Sequence, residues 1–177
     1  MLFQVDEVIK RFDQFLCARH LNYSCVIIGG AALTLLHIIS RATKDIDVLT
    51  DRIPDDIDQA ARDFARTAAL SEHWFNSGPS DLMQHLPRGW QTGLQLIFQG
   101  EALTLYTLAR LDLIRVKIWA LCDRQKDLPD VIALAPTVDE LDAVAVWLKP
   151  LDANPQWPSY IDSIIAFLKK ELHNAKP

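Results

Sequence analysis

The stretch from residue 23 to residue 49 limits the possible folds more than any other part of this chain. Tyr23-Ser24-Cys25-Val26-Ile27-Ile28 is short, apolar and rich in β-branched residues, the pattern of a buried strand. Gly29-Gly30 ends it, residues 31–39 read as a buried helix, and Arg41-Ala42-Thr43-Lys44 is a polar connection. Asp45-Ile46-Asp47-Val48-Leu49 reads as a second strand, whose alternation puts Asp45 and Asp47 on one face and Ile46 and Val48 on the other. Residues 31–44, fourteen in all, separate Gly30 from Asp45. That is enough for one helix and a return, so the second strand can lie beside the first with its carboxylates facing the glycines.

Each part of this arrangement has a chemical use. Two glycines at a strand end let the backbone approach a ligand with no Cβ in the way. A helix starting there points free N–H groups and a partial positive charge at the same spot, which suits phosphate. Two acids at i and i+2 on a strand form a hard-oxygen pair for Mg²⁺, with water and substrate phosphates completing the shell. That combination belongs to phosphoryl or nucleotidyl transfer, which works mostly through position and charge. Singly, each part has a plainer reading: a solvated strand edge for Asp-x-Asp, a tight turn for Gly-Gly.

Around this centre the chain reads as helices and a hairpin. Residues 3–19 form an amphipathic helix, with Phe3, Val5, Val8, Ile9, Phe12, Phe15 and Leu16 on one face and Asp6, Glu7, Lys10, Arg11, Asp13 and Gln14 on the other. Pro54 and the acids Asp55, Asp56 and Asp58 open a helix running to about residue 70. Residues 71–93 are rich in turn formers, Pro79 among them, and read as an irregular loop. Residues 94–98 and 102–107 read as a hairpin around Gln99-Gly100-Glu101. The last third is helical: residues 110–123, residues 128–134, a helix opened by the capping box Thr137-Val138-Asp139-Glu140, and residues 159–172. The expectation is an α/β (α+β) fold: a small mixed sheet flanked by helices at 1–108, and a helical part at 109–177.

The chain has 177 residues and a formal net charge of −5, unlike the basic balance common in nucleic-acid-coating proteins. Three cysteines form no metal-binding or disulfide pattern, and Cys25 sits in an apolar run as a core residue would. No basic-then-apolar leader opens the chain and no apolar run approaches membrane-spanning length, so a soluble cytoplasmic protein with no membrane partner is expected. Arg110, Lys117 and Arg124 recur every seven residues and would form a basic stripe on one helical face. Trp74 and Trp90 flank the long loop, where one would be placed to stack on a base.

At this point the sequence resembles the nucleotidyltransferase superfamily. The carrying residues are Val26-Ile27-Ile28-Gly29-Gly30-Ala31-Ala32, then Arg41-Ala42-Thr43-Lys44-Asp45-Ile46-Asp47-Val48-Leu49. The run from Arg41 is similar to the minimal bacterial branch that includes AbiEii-type abortive-infection toxins. A second stretch agrees: a helix carrying Lys117, then Arg124, then Lys126-Asp127 and Asp130. The resemblance implies that Asp45 and Asp47 are catalytic and bind Mg²⁺ or Mn²⁺. It implies that Gly29, Gly30, Lys117 and Lys126 hold the phosphates of an NTP, and that Arg41, Thr43, Lys44, Asp127 and Asp130 edge the site. The implied reaction moves an NMP to an RNA (tRNA) or protein hydroxyl, with a toxin–antitoxin or phage-defence role and a cognate antitoxin as the corresponding partner. One departure stands out. Active members carry a third carboxylate on a later strand, and residues 94–98 have none; Glu101, Asp112, Asp127 and Asp130 are the nearby substitutes. That favours, as the alternative, a degenerate member that binds nucleotide or a protein partner without turnover.

Overall fold

The computed structural model describes residues 2–78 and 80–174; Pro79 lies outside the described residues. The fold is mixed α/β, with a five-stranded mixed sheet and seven α-helices among the described residues. It divides into two compact units, one up to Ala109 and one from Arg110.

The first unit contains α1 (Val5–Cys17), β1 (Tyr23–Ile28), α2 (Gly29–Leu35), β2 (Ile46–Val48), α3 (Asp55–Ala68), β3 (Phe75–Asn76), β4 (Gln95–Gln99) and β5 (Leu103–Thr107). The sheet order is β3-β2-β1-β5-β4. β1 runs antiparallel to β2 and parallel to β5, β3 runs parallel to β2, and β4 and β5 form the expected hairpin. A register shift between Leu96 and Phe98 marks a bulge in β4. Cys25 and Ile27 of β1, Ile46 and Val48 of β2, and Leu103 and Leu105 of β5 join the buried faces of α1, α2 and α3 in one core. Strand alternation therefore turns Asp47 to the opposite face of the sheet.

An aromatic cluster fills the middle of that core. Trp74 is completely buried, donates its indole N–H to the Ala61 carbonyl at 2.9 Å, and meets Phe12, Phe64 and Phe75 at ring separations of 5.0, 5.4 and 5.4 Å. Trp74 is thus a core residue, which corrects its reading as a base-stacking ring. Residues 71–93 are also more ordered than their composition suggests: they hold β3 and two 3₁₀ turns, at residues 80–84 and 90–93.

Several helices end earlier than their periodicity suggests. Residues 31–39 were expected to be helical, but α2 stops at Leu35 because His37 turns left-handed (φ 57°), and Ile38 N–H bonds back to the Leu33 carbonyl. His20 and Ala69 play the same part after α1 and α3. At the other end, Phe3 leaves α1 and forms an isolated antiparallel bridge with Thr43. That bridge ties the connection before β2 to the start of the chain.

Asp13 departs most from the pattern of α1. Its periodicity places it on the polar face, yet it is buried, because its carboxylate closes the β4–β5 turn. It accepts from the backbone N–H groups of Glu101 (3.2 Å), Ala102 (2.9 Å) and Leu103 (2.8 Å). Gly100 leaves room for it: a Cβ there would fall 2.2 Å from Asp13 Oδ1.

The second unit contains α4 (Arg110–Asp123), α5 (Leu128–Leu134), α6 (Val138–Leu148) and α7 (Trp157–Asn174). α4 packs on α5 and α6, and α6 packs on α7. Trp119 and Trp147 meet edge to face at 5.7 Å between α4 and α6. The capping box is present: Glu140 N–H donates to Thr137 Oγ1, and Thr137 N–H donates to the Glu140 carboxylate. No described helix is long and apolar enough to cross a membrane.

Asp13→Ala leaves three backbone N–H groups without their acceptor and should destabilise the chain by more than about 2 kcal/mol. Gly100→Ala should be destabilising too, through overlap with the carboxylate. Urea-denaturation midpoints of the two variants and the double variant check this, and coupling between the two sites is expected.

Candidate active site

The first cluster lies where β1 ends. Ile28 is in register with Asp47 on the antiparallel neighbour β2. Gly29 has φ 76°, a conformation that L side chains rarely adopt. A Cβ on Gly29 would sit 2.9 Å from Asp47 Oδ2, so the carboxylate occupies the space that a side chain would take. Gly30 faces the connecting loop: a Cβ there would lie 3.8 Å from both Arg41 Nη2 and Thr43 Oγ1. Thr34, one turn along α2, donates its hydroxyl to the Gly30 carbonyl at 3.0 Å and reaches the Arg41 carbonyl at 3.4 Å. Thr43 Oγ1 in turn donates to the Asp45 carbonyl at 3.1 Å.

The structure thus brings Gly29 to Asp47, and Gly30 to Arg41 and Thr43. Asp45 and Lys44 are exposed and precede β2, which begins at Ile46 rather than at residue 45. α2 begins at Gly29 itself, so both glycines form its first turn instead of preceding it.

Two hard carboxylates suit a cation that takes one or two protein oxygens and fills its shell with water and substrate phosphate. Among the described residues no group of three or more His, Cys, Asp or Glu side chains is placed to hold a metal. The later strands explain why. β3, β4 and β5 contain no Asp or Glu. The residue in register with Asp47 on β3 is Asn76, an amide. Its Oδ1 accepts from Gly78 N–H at 2.8 Å, and its Nδ2 donates to the His73 carbonyl at 3.4 Å. Sequence reasoning missed this position because a two-residue strand has no periodicity; the dipeptide Trp74-Phe75 is its only trace. Glu101 is ruled out as a substitute. It follows β4 in the turn beside the start of β1, whereas Asp47 lies beside the end of β1, roughly 17 Å away along a six-residue strand.

The second cluster lies in the helical unit. Lys117 is buried, and its ammonium donates to Asp127 Oδ1 (3.1 Å) and Asp130 Oδ2 (2.7 Å). Asp127 Oδ2 makes no hydrogen bond, but Arg124 Nε stands 3.3 Å away as an ion-pair contact. Asp112 is paired with Arg115 at 2.7 Å. Arg110 donates to both Glu140 oxygens, at 2.8 and 3.1 Å, and to the carbonyls of Leu134 and Ala135 at the end of α5. The basic stripe is therefore corrected: carboxylates from later in the chain fold back onto Arg110, Lys117 and Arg124. Lys126 is exposed in the short turn between α4 and α5.

Burial pushes the Cys25 thiol up to about 12, as expected of an inert core residue. The Arg110 guanidinium holds the Glu140 carboxyl below its usual range, against a smaller opposing effect of burial; the Thr137 N–H adds to the lowering.

These elements match a described family. Its sequence model, "Nucleotidyltransferase of unknown function (DUF6036)", covers residues 1–144. The chain belongs to this nucleotidyltransferase family. The match takes in the whole sheet, both clusters and most of α6, while α7 lies beyond it. No curated protein and no solved structure matches the chain.

Three outcomes follow. Gly29→Ala should destabilise the fold by about 1–2 kcal/mol through the left-handed backbone and crowd the Asp47 carboxylate, read as a lower melting temperature. Lys117→Met removes the buried cation shared by Asp127 and Asp130 and should cost about 3–5 kcal/mol, measured by chemical denaturation. Because the folded Glu140 has a lowered pKa, its stabilising contribution is full above the unfolded carboxyl pKa and is lost as pH falls through the folded one. Arg110→Ala should therefore flatten the acid side of the stability–pH curve, followed by thermal melts.

Proposed function

We propose that this chain transfers a nucleoside monophosphate from an NTP to a hydroxyl acceptor. The observation that carries the reading is the contact between backbone and carboxylate at Gly29 and Asp47, where a Cβ would come within 2.9 Å of Oδ2. A backbone stripped of side chains beside an acid pair is suited to a polyphosphate carried with its cation. Asp45 and Asp47 would hold Mg²⁺ or Mn²⁺, and the bound ion would neutralise phosphate charge. Gly29 and Gly30 would admit the phosphates to the backbone. Arg41, whose guanidinium lies beside Gly30, and the exposed Lys44 would offset their charge. Thr43 would brace the loop through the Asp45 carbonyl.

In the transfer, the acceptor oxygen forms a bond to the α-phosphorus and the α–β bridging bond breaks. Pyrophosphate leaves, and the hydroxyl proton passes to solvent. For Lys117, Asp127 and Asp130 we infer a positioning role, since the lysine charge is already met by two acids; Lys126, an exposed cation, would meet phosphate. The acceptor would be an RNA end, such as that of tRNA, or a protein hydroxyl. The likeness of residues 41–47 to AbiEii-type toxins extends the reading to a cytoplasmic toxin or phage-defence component with a cognate antitoxin.

A second reading has its own observation. Asn76 beside Asp47, with no acid on β3, β4 or β5, favours a member that binds nucleotide or a protein partner without turnover.

Incubation with each α-labelled NTP, Mg²⁺ and a cell lysate separates the two. Transfer of label to a macromolecule, lost in Asp47→Ala with an unchanged circular dichroism spectrum, is the expected outcome. Binding of Mg–NTP without transfer, across metals and acceptors, would sink the enzyme in favour of the binding protein.

A further inference from the structure

Asp45 is exposed and precedes β2, yet the acid pair depends on where it lies relative to Asp47. β1 does not fix it. The β1–β2 register ends at Ile28 and Asp47, and Gly29 already turns into α2. The backbone around Asp45 is held from the other side. Ile46 N–H donates to the Trp74 carbonyl. Phe3 N–H donates to the Thr43 carbonyl at 2.8 Å, and Thr43 N–H donates to the Phe3 carbonyl at 3.1 Å. Lys44 and Asp45 are the two residues between these tethers.

The tethers are joined to each other. The Phe3 ring meets the Trp74 indole edge to face at 6.0 Å. Phe3 is 7% exposed, although Leu2 and Gln4 on either side of it are exposed. A closed path therefore runs from Phe3 through the Trp74 ring and carbonyl to Ile46, back along Asp45 and Lys44 to Thr43, and across the bridge to Phe3. A staple that only closed the first turn of α1 would need the Phe3 ring alone. The paired backbone bonds to Thr43 serve the loop instead.

We propose that Phe3 is a positioning residue for the acid pair: with Trp74 it clamps residues 43–46 and so sets where Asp45 lies relative to Asp47. The consequence for a cation rests on the proposed reading of Asp45 and Asp47 as ligands; the clamp itself does not. Mg²⁺ demands near-ideal octahedral geometry, whereas Ca²⁺ accepts flexible ligand positions. A loop that loses its clamp therefore loses Mg²⁺ affinity first, because ligand spacing has changed and ligand charge has not.

The test uses the full ¹⁵N-labelled chain, with Mg²⁺ alone and Ca²⁺ alone as probes, titrated by amide chemical shifts. Phe3→Ala should speed deuterium exchange of the Thr43 and Ile46 amides by about tenfold relative to the Leu49 amide, which is bonded to the Val26 carbonyl. Mg²⁺ affinity should fall about tenfold and Ca²⁺ affinity by less than about threefold. Phe3→Leu, which keeps the position filled, should recover most of both effects. Leu16→Ala, a truncation of a buried residue at the far end of α1, should lower stability and leave the Mg²⁺ to Ca²⁺ ratio at its wild-type value. Where Phe3→Ala melts below the assay temperature, Phe3→Val carries the same comparison. The assignment is overturned if Thr43 and Ile46 exchange no faster relative to Leu49, if the two cations lose affinity alike, or if Leu16→Ala reproduces the change in ratio. Failure of the wild-type chain to bind either cation, with or without NTP, overturns the cation reading of Asp45 and Asp47, and the exchange rates alone then decide the clamp.

Discussion

The close approach of Gly29 to Asp47 is the constraint on which the site depends. α2 follows β1 at once through a positive-φ residue, Gly29, and the space its missing side chain leaves is filled by a carboxylate from the antiparallel neighbour. A side chain at residue 29 would meet the Asp47 carboxylate and push the ends of β1 and β2 apart. The supporting parts serve the same contact. Thr34 holds the Gly30 carbonyl, Thr43 holds the Asp45 carbonyl, and the Phe3 bridge pins the loop between them to the start of the chain.

Two other acids show how burial and partners decide what a carboxylate does. Asp13 satisfies three backbone N–H groups of a turn and is structural despite its place on a polar-looking helix face. Asp127 and Asp130 surround a buried lysine, and such an ion cluster is unforgiving of losing one member. Neither arrangement leaves an acid on the sheet beside Asp47. Asn76 stands in the neighbouring position, and its amide already serves the loop that follows β3. Family membership speaks for nucleotide chemistry, and the neighbour of Asp47 on β3 is an amide rather than an acid.

Legibility in the sequence followed the physics of each element. The hairpin, the capping box and the helices at 110–123 and 128–134 were readable because periodicity and capping are local properties. Helix ends were not, where His20, His37 and Ala69 adopt the left-handed conformation that glycine usually signals. β3 was invisible because two residues cannot display an alternation, and Trp74 was misread because an aromatic in a turn-rich stretch gives no local sign of which side it packs on.

The chain's sequence by itself determined the strand, Gly-Gly, helix and Asp-x-Asp order, and with it the family and the identity of the acid pair. Those are set by short-range steric and hydrophobic rules that act within a few residues. Only the tertiary structure decided which charges remain open. It closed Arg110 and Lys117 with acids from later in the chain, buried Asp13 under a turn, and placed the amide of Asn76 beside Asp47. Charge pairing and strand order depend on residues far apart in the chain, and no local pattern encodes them.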